Sequence, residues 1–257
     1  MNHINNYLFV IFLFLISCET QKPTEKNIDN GKVTLTLRIS DNTPYIEKVT
    51  HKKEGYTRIL DNSGGATLEG WLKEQLFQDA DNWSCAGWQT SEDSNFIRAV
   101  AEISLNDIRI DYHVDLLKDR AYFRQYFTIT NEGEQTAEIP KFPVLFTKYG
   151  MNDSTGRIRW WEALSYKPHE ENISLDTDLI LHSKIHSSDD YGQTNGNVPY
   201  WYIQDELGTL YHGLAWSGGW QTNIWQTEEG LATEVFLNRM ETQLDLQPNE
   251  TVQGPEL

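Results

Sequence analysis

Hydrophobic and polar residues alternate with a period of two along most of this chain. In KVTLTLRIS, Val33, Leu35, Leu37 and Ile39 fall on one side and polar residues on the other, the pattern of a strand with one face in a core. In DIRIDYHVDL, Ile108, Ile110, Tyr112, Val114 and Leu116 repeat it. In RAYFRQYFTIT, Phe123, Phe127 and Ile129 share one side, and Tyr122, Arg124, Tyr126 and Thr128 the other. The turn Asn131-Glu132-Gly133-Glu134 follows, and TAEIPKFPVLF restarts a strand. Further strands are predicted at VPYWYIQ, TLYHGLAW, WQTNIWQ, ATEVFL and ETQLDLQ. Turns are expected at Asp205-Glu206-Leu207-Gly208 and Glu228-Glu229-Gly230, and Gln247-Pro248-Asn249-Glu250 is expected to close another hairpin.

Helical periodicity is nearly absent; the best candidate is the short stretch Trp71 to Ala80. Prolines fall mostly at strand ends. The pattern amounts to about fifteen strands with no linker among them, which predicts one large antiparallel all-β sandwich. A propeller would show a period of about 40 residues, and the chain has no internal repeat.

Composition narrows the partners. The 257 residues carry 21 Lys and Arg against 38 Asp and Glu, a formal charge of -17. Nucleic acid is excluded as a partner, because a phosphate backbone calls for a basic face. Aromatics at 12% and hydrophobics at 39% suffice for a real core. Residues Tyr7 to Ile16 are ten uncharged apolar residues, the length of a signal h-region and too short to span a bilayer. They end in Leu15-Ile16-Ser17-Cys18, which resembles a bacterial lipobox. The expectation is a lipoprotein signal over residues 1–17, lipidation at Cys18, a polar tether over 18–31 and a folded domain over 32–257. That architecture implies an exported lipoprotein, periplasmic or associated with the outer membrane and held there by its lipid anchor. Cys85 is then the one cysteine of the domain and reads as a small buried hydrophobe.

Candidate chemistry centres on sugars. Trp71, Trp83 and Trp88 lie in a region that reads as loop, Trp160 and Trp161 are adjacent, and Trp201, Trp216, Trp220 and Trp225 crowd the last third. Aromatic rings stack on the C–H face of a pyranose while amides and carboxylates bind its hydroxyls; for any single Trp, a place in the core is the commoner fate. Acid pairs such as Glu92-Asp93, Glu170-Glu171 and Asp189-Asp190 are plentiful, and with 38 acids chance pairs are expected. Ser217 lacks a G-x-S-x-G elbow, although His212 is near it in sequence. His182, His186 and Asp189 have a loose metal-like spacing without a third histidine. No cofactor is predicted.

Two segments carry a family likeness. One is Gly213-Leu214-Ala215-Trp216-Ser217-Gly218-Gly219-Trp220; the other is Leu246-Gln247-Pro248-Asn249-Glu250-Thr251-Val252-Gln253-Gly254-Pro255. Together they resemble the N-terminal β-supersandwich domain of glycoside hydrolase family 36, the α-galactosidase group, over residues 32–257. The resemblance implies a galactose-mutarotase-like supersandwich that packs against a catalytic (β/α)8 barrel and lends loop residues to a sugar site. The loop candidates are Asp81, Trp83, Trp88 and Asp190, with a carbohydrate such as an α-galactoside as ligand. In that family two catalytic aspartates lie in the barrel, and no alternation of strand and helix supplies one here. No catalytic residue is therefore assigned. The expected function is that of a non-catalytic domain of an exported α-galactosidase-like glycoside hydrolase. The alternatives are a free-standing carbohydrate-binding surface lipoprotein and a structural envelope lipoprotein. Sugar mutarotases share the fold class and give a lower-ranked enzymatic reading.

Overall fold

The computed structural model describes residues 24–61, 83–139, 141–150, 155–162, 168–174, 183–187, 197–215, 220–227, 230–238 and 244–257. Every regular element among them is a strand. An eight-stranded sheet runs, in spatial order, β1 (Glu25–Asp29), β2 (Val33–Ser40), β3 (Thr43–His51), β4 (Tyr56–Asp61), β10 (Lys141–Gly150), β17 (Gly230–Asn238), β16 (Trp220–Thr227) and β13 (Ser183–Ser187). A five-stranded sheet runs β19 (Thr251–Gln253), β8 (Phe123–Asn131), β7 (Ile108–Leu117), β6 (Phe96–Leu105) and β5 (Ser84–Glu92). A four-stranded sheet runs β12 (Pro168–Ser174), β11 (Thr155–Glu162), β14 (Asn197–Asp205) and β15 (Gly208–Gly213). The short pair β18 (Leu244–Leu246) and β9 (Ala137–Ile139) completes the set. The pairings are antiparallel throughout, and the predicted all-β sandwich is what forms.

The alternation explains the core. Ile108, Ile110, Tyr112, Val114 and Leu116 of β7 are all buried, and so are Val33, Leu35 and Leu37 of β2. Inward residues of the eight- and five-stranded sheets belong to one continuous apolar cluster, as a sandwich requires. Within the eight-stranded sheet, β4 meets β10 through only two residue pairs, Lys148 with Asp61 and Tyr149 with Leu60. This seam joins an N-terminal run of hairpins to the later strands.

Three expectations change. Residues 25–29, placed in the tether, form the edge strand β1, paired in register from Glu25 with Arg38 to Asp29 with Thr34. One apolar side chain suffices: Ile28 is buried in the core, while the neighbours that read as tether face solvent. The stretch around Trp83 and Trp88, read as loop, is strand β5. Its alternation is broken by an irregularity between Cys85 and Trp88, where Gly87 takes a positive φ of 85°. Finally, the turn at Gln247–Glu250 closes no hairpin. Glu250 N bonds Gln247 O at 2.9 Å and Asn249 has a φ of 62°, so the turn forms. The strands on either side go to different sheets, β18 to β9 and β19 to β8.

Asn131 holds that corner together. Its buried side-chain amide donates to Leu246 O at 2.9 Å and to Gln135 O at 2.7 Å, while its Oδ1 accepts from Gly133 N at 3.0 Å. The other two expected turns are true connections: Asp205 pairs with Gly208 and Thr227 with Gly230, each across two residues. The helix expected at Trp71 to Ala80 lies outside the described residues.

Candidate functional site

A cavity of about 490 Å³ opens inside the sandwich, within the size range of ligand pockets. Strands β3, β4 and β10 supply one wall, β7 and the 121–125 segment another, and β15 passes along the side. The described lining is mainly aliphatic and aromatic, with Val49, Leu60, Leu145 and Leu210 beside Phe123 and Phe146. Its polar side chains include Arg58, His51, Thr147, Thr209, Tyr149, His212 and the Tyr112–Gln125 pair.

The β15 wall is fixed by a buried ion pair. Arg58 of β4 reaches across to Asp205 at the end of β14, donating from Nη1 to Oδ2 at 2.7 Å and from Nη2 to Oδ1 at 2.6 Å. The two side chains are 3% and 0% exposed. Asp205 Oδ1 also accepts from Leu207 N at 3.0 Å, and Arg58 Nη2 approaches Gly208 O at 3.3 Å. A bidentate pair of this kind leaves neither charge uncompensated. Gly208 takes a φ of 114°, and a Cβ added there would meet the Tyr56 ring of β4 at 3.5 Å.

His212 faces inward from β15. Its ring stacks on Trp201, its register partner on β14, with centroids 5.2 Å apart, and meets Tyr149 edge-on at 5.4 Å. The residue is half-buried, but its Nε2 is shut off from solvent and has no hydrogen-bond partner among the described residues. Burial, helped by the Arg58 charge, pushes its pKa down to about 3. Tyr149 is wholly buried, and that burial pushes its phenol up. Thr233 is close by, yet neither hydroxyl makes a hydrogen bond of ordinary geometry. Tyr112, stacked on Phe127 at 4.8 Å, donates its hydroxyl to Gln125 Oε1 at 2.5 Å, and burial pushes its phenol up as well. All three titratable side chains are therefore neutral at physiological pH. The opening is aromatic: Tyr122 is 51% exposed, and Tyr56 stacks on His51 at 5.3 Å.

No Asp or Glu is among the described lining residues, so the cavity offers binding groups rather than the carboxylate pair that glycoside hydrolysis uses. A cluster of charged residues lies elsewhere, on the outer face of the five-stranded sheet. There Arg124 binds Asp115 Oδ2 (2.9 Å from Nη2) and Glu256 (2.7 Å) and lies over the Phe96 ring at 4.5 Å.

The sequence candidates are placed differently. Trp83 and Trp88 are 8% and 3% exposed and belong to the core cluster; Trp88 packs on Tyr112 at 5.9 Å. Trp88 stands in strand β5 and Trp83 directly before it, where the sequence reads as loop, and little of either residue is open to solvent. Asp81, Asp190, Cys18, Ser217, His182 and Asp189 lie outside the described residues. Cys85 is half-buried and packs against the core. The alternation of β4, β10 and β15 could have pointed to Arg58, Tyr149 and His212 as inward polar residues. Nothing local in sequence brings them together, since Arg58 and Asp205 stand 147 positions apart. The two segments that carry the family likeness do meet: Ala215 N donates to Glu256 O at 2.8 Å, one residue beyond Pro255.

No family model and no curated protein matches the sequence. Solved structures do match in fold. The GH36 α-galactosidase AgaB of Geobacillus stearothermophilus superposes with a TM-score of 0.61 at 10% identity, over 91% of this chain and 39% of that one. The α-galactosidase of Lactobacillus brevis gives a TM-score of 0.56 at 10% identity, over 90% of this chain and 38% of that one. A TPR-domain containing protein from Parabacteroides distasonis gives 0.53 at 14% identity, over 90% and 46%. The chain thus has the β-supersandwich fold found in GH36 α-galactosidases, as the sequence resemblance implied, and spans about 40% of the length of those enzymes.

Proposed function

We propose that this chain is the non-catalytic supersandwich domain of an exported α-galactosidase-like glycoside hydrolase, lipidated at Cys18, that works in carbohydrate handling beside a catalytic barrel. The observation that carries the reading is the asymmetry of the fold match: about nine-tenths of this chain against two-fifths of the α-galactosidases. The absence of a carboxylate among the described cavity-lining residues supports a binding or scaffolding role for the chain itself. The gene downstream of the Leu257 codon provides the test. A neighbouring barrel sequence with paired catalytic aspartates is expected; an unrelated neighbour overturns the reading. The purified chain alone is expected to leave aryl α-galactosides intact, and turnover lost on Asp189→Asn or Asp190→Asn substitution would refute a non-catalytic role. Release of the protein from membranes by detergent but not by salt, together with a lipid-bearing Cys18 peptide, checks the anchor.

The cavity favours the second reading, a free-standing carbohydrate-binding lipoprotein, if the gene holds no barrel.

A further inference from the structure

The cavity combines a largely aliphatic and aromatic lining, an Arg58 charge already paired with Asp205 and an aromatic opening, and this combination selects a ligand class. We infer that it binds an uncharged amphiphile: an apolar ring or short chain that enters the sandwich, joined to a hydroxylated head that rests at the mouth. Simple aryl and alkyl glycosides belong to this class. The inference concerns the cavity alone and holds whether or not a catalytic barrel accompanies the chain.

Three observations carry it. The volume, about 490 Å³, is that of a pocket for a small organic molecule, whereas packing defects in cores are far smaller. The described wall is aliphatic on the side of the eight-stranded sheet and aromatic, with Tyr112 and Phe123, on the side of the five-stranded one, so an apolar body gains by burial there. Lastly, Arg58 is neutralised by Asp205 and His212 is uncharged, so neither side chain compensates a charged guest. At the mouth, Tyr122 and the Tyr56–His51 stack present aromatic faces suited to the C–H side of a sugar ring.

Calorimetric titration of the full chain with phenyl α-galactoside, free galactose and benzoate tests the assignment, with tryptophan fluorescence as a second readout of the Trp201–His212 stack. Phenyl α-galactoside is expected to bind saturably, galactose at least tenfold more weakly, and benzoate not measurably. Tyr122→Ala, at an exposed position, should weaken phenyl α-galactoside several-fold and leave the fold intact. Thr209→Trp, which fills the cavity from its side, should abolish binding while circular dichroism stays unchanged. The inference is overturned by galactose or benzoate binding as well as the aryl galactoside, by no saturable binding of the aryl galactoside, or by binding that survives Thr209→Trp in a folded protein. None of these results bears on the gene downstream, so the inference can fail while the α-galactosidase-like reading stands.

Discussion

His212 stays neutral in the folded chain because its Nε2 is sealed between Trp201, Tyr149 and the interior while Arg58 adds positive charge nearby. Its pKa falls from 6.5 to about 3 in the fold, so below pH 6.5 the unfolded chain takes up a proton that the native chain refuses. The stability tied to His212 is therefore full above pH 6.5 and is lost as pH falls from 6.5 toward 3. His113, stacked on Tyr126 at 4.5 Å on the outer face, is also lowered by burial and contributes in the same direction. The carboxylates act lower: Asp29, held down by its bond to Lys52, and Asp93, held down by the Asn95 and Phe96 amides, lose their contributions only below the ordinary carboxylate value of 3.8. We expect urea midpoints to decline between pH 6.5 and 4.5, and His212→Gln to flatten part of that decline. An unchanged pH slope in the variant would show that the imidazole titrates freely in the fold.

At the scale of elements, Gly254 shows how tightly the C-terminal segment is laid against the sheets. A Cβ there would stand 2.1 Å from a ring atom of Phe142, and Gly254 N already donates to Phe127 O at 2.9 Å. Gly254→Ala should cost about 1–3 kcal/mol through overpacking, read as a lower urea midpoint. A smaller residue at the facing position, Phe142→Leu, should recover part of the loss in the double variant.

The strands themselves were legible wherever one face is buried and the pleat is regular. β2, β7 and β8 show their inward residues in the sequence, and even Gln125, on the inward parity of β8, turns up in the cavity. β5 was not legible, because the irregularity at Gly87 shifts Trp88 out of step and makes a strand read as a loop. β1 was hidden because main-chain pairing to β2 forms it, with Ile28 the one buried side chain along it. The cavity was not legible: the sequence points to tryptophans and acids, whereas the described lining holds tyrosines and histidines and no Asp or Glu. Packing claims Trp83, Trp88 and Trp201, the largest side chains, and leaves tyrosines at the opening. The pairing of Arg58 with Asp205 depends on tertiary contact between two sheets and has no local signal.

For the molecule as a whole, the formal charge of -17 is the dominant long-range force. The ion pairs offset it only locally: Arg38 with Glu25 and Glu47, Arg98 with Asp93, and Arg109 with Glu132 are surface contacts of small individual worth. The excess negative charge repels itself more in a compact chain than in an extended one, and salt screens that repulsion within about 10 Å at 0.1 M. Melting temperature at pH 7 should therefore rise as sodium chloride goes from about 10 mM to a few hundred millimolar. A melting temperature that falls over this range would mean that the attractive pairs outweigh the net repulsion. The same charge keeps polyanions away and suits a neutral ligand, in agreement with a cavity where Asp205 cancels the charge of Arg58.

The Arg58–Asp205 contact also sets a clock. Meanders such as β6–β7–β8 close over short loops, whereas this contact waits until residues 147 positions apart are brought together. An interaction absent from the folding transition state leaves the folding rate nearly unchanged and holds back unfolding. Arg58→Met leaves Asp205 buried and alone, a loss of about 3–5 kcal/mol. In stopped-flow measurements that loss should fall almost wholly on the unfolding limb, with refolding at near the parental rate. The pair is then a latch: it adds little to how fast the sandwich assembles and much to how long it lasts.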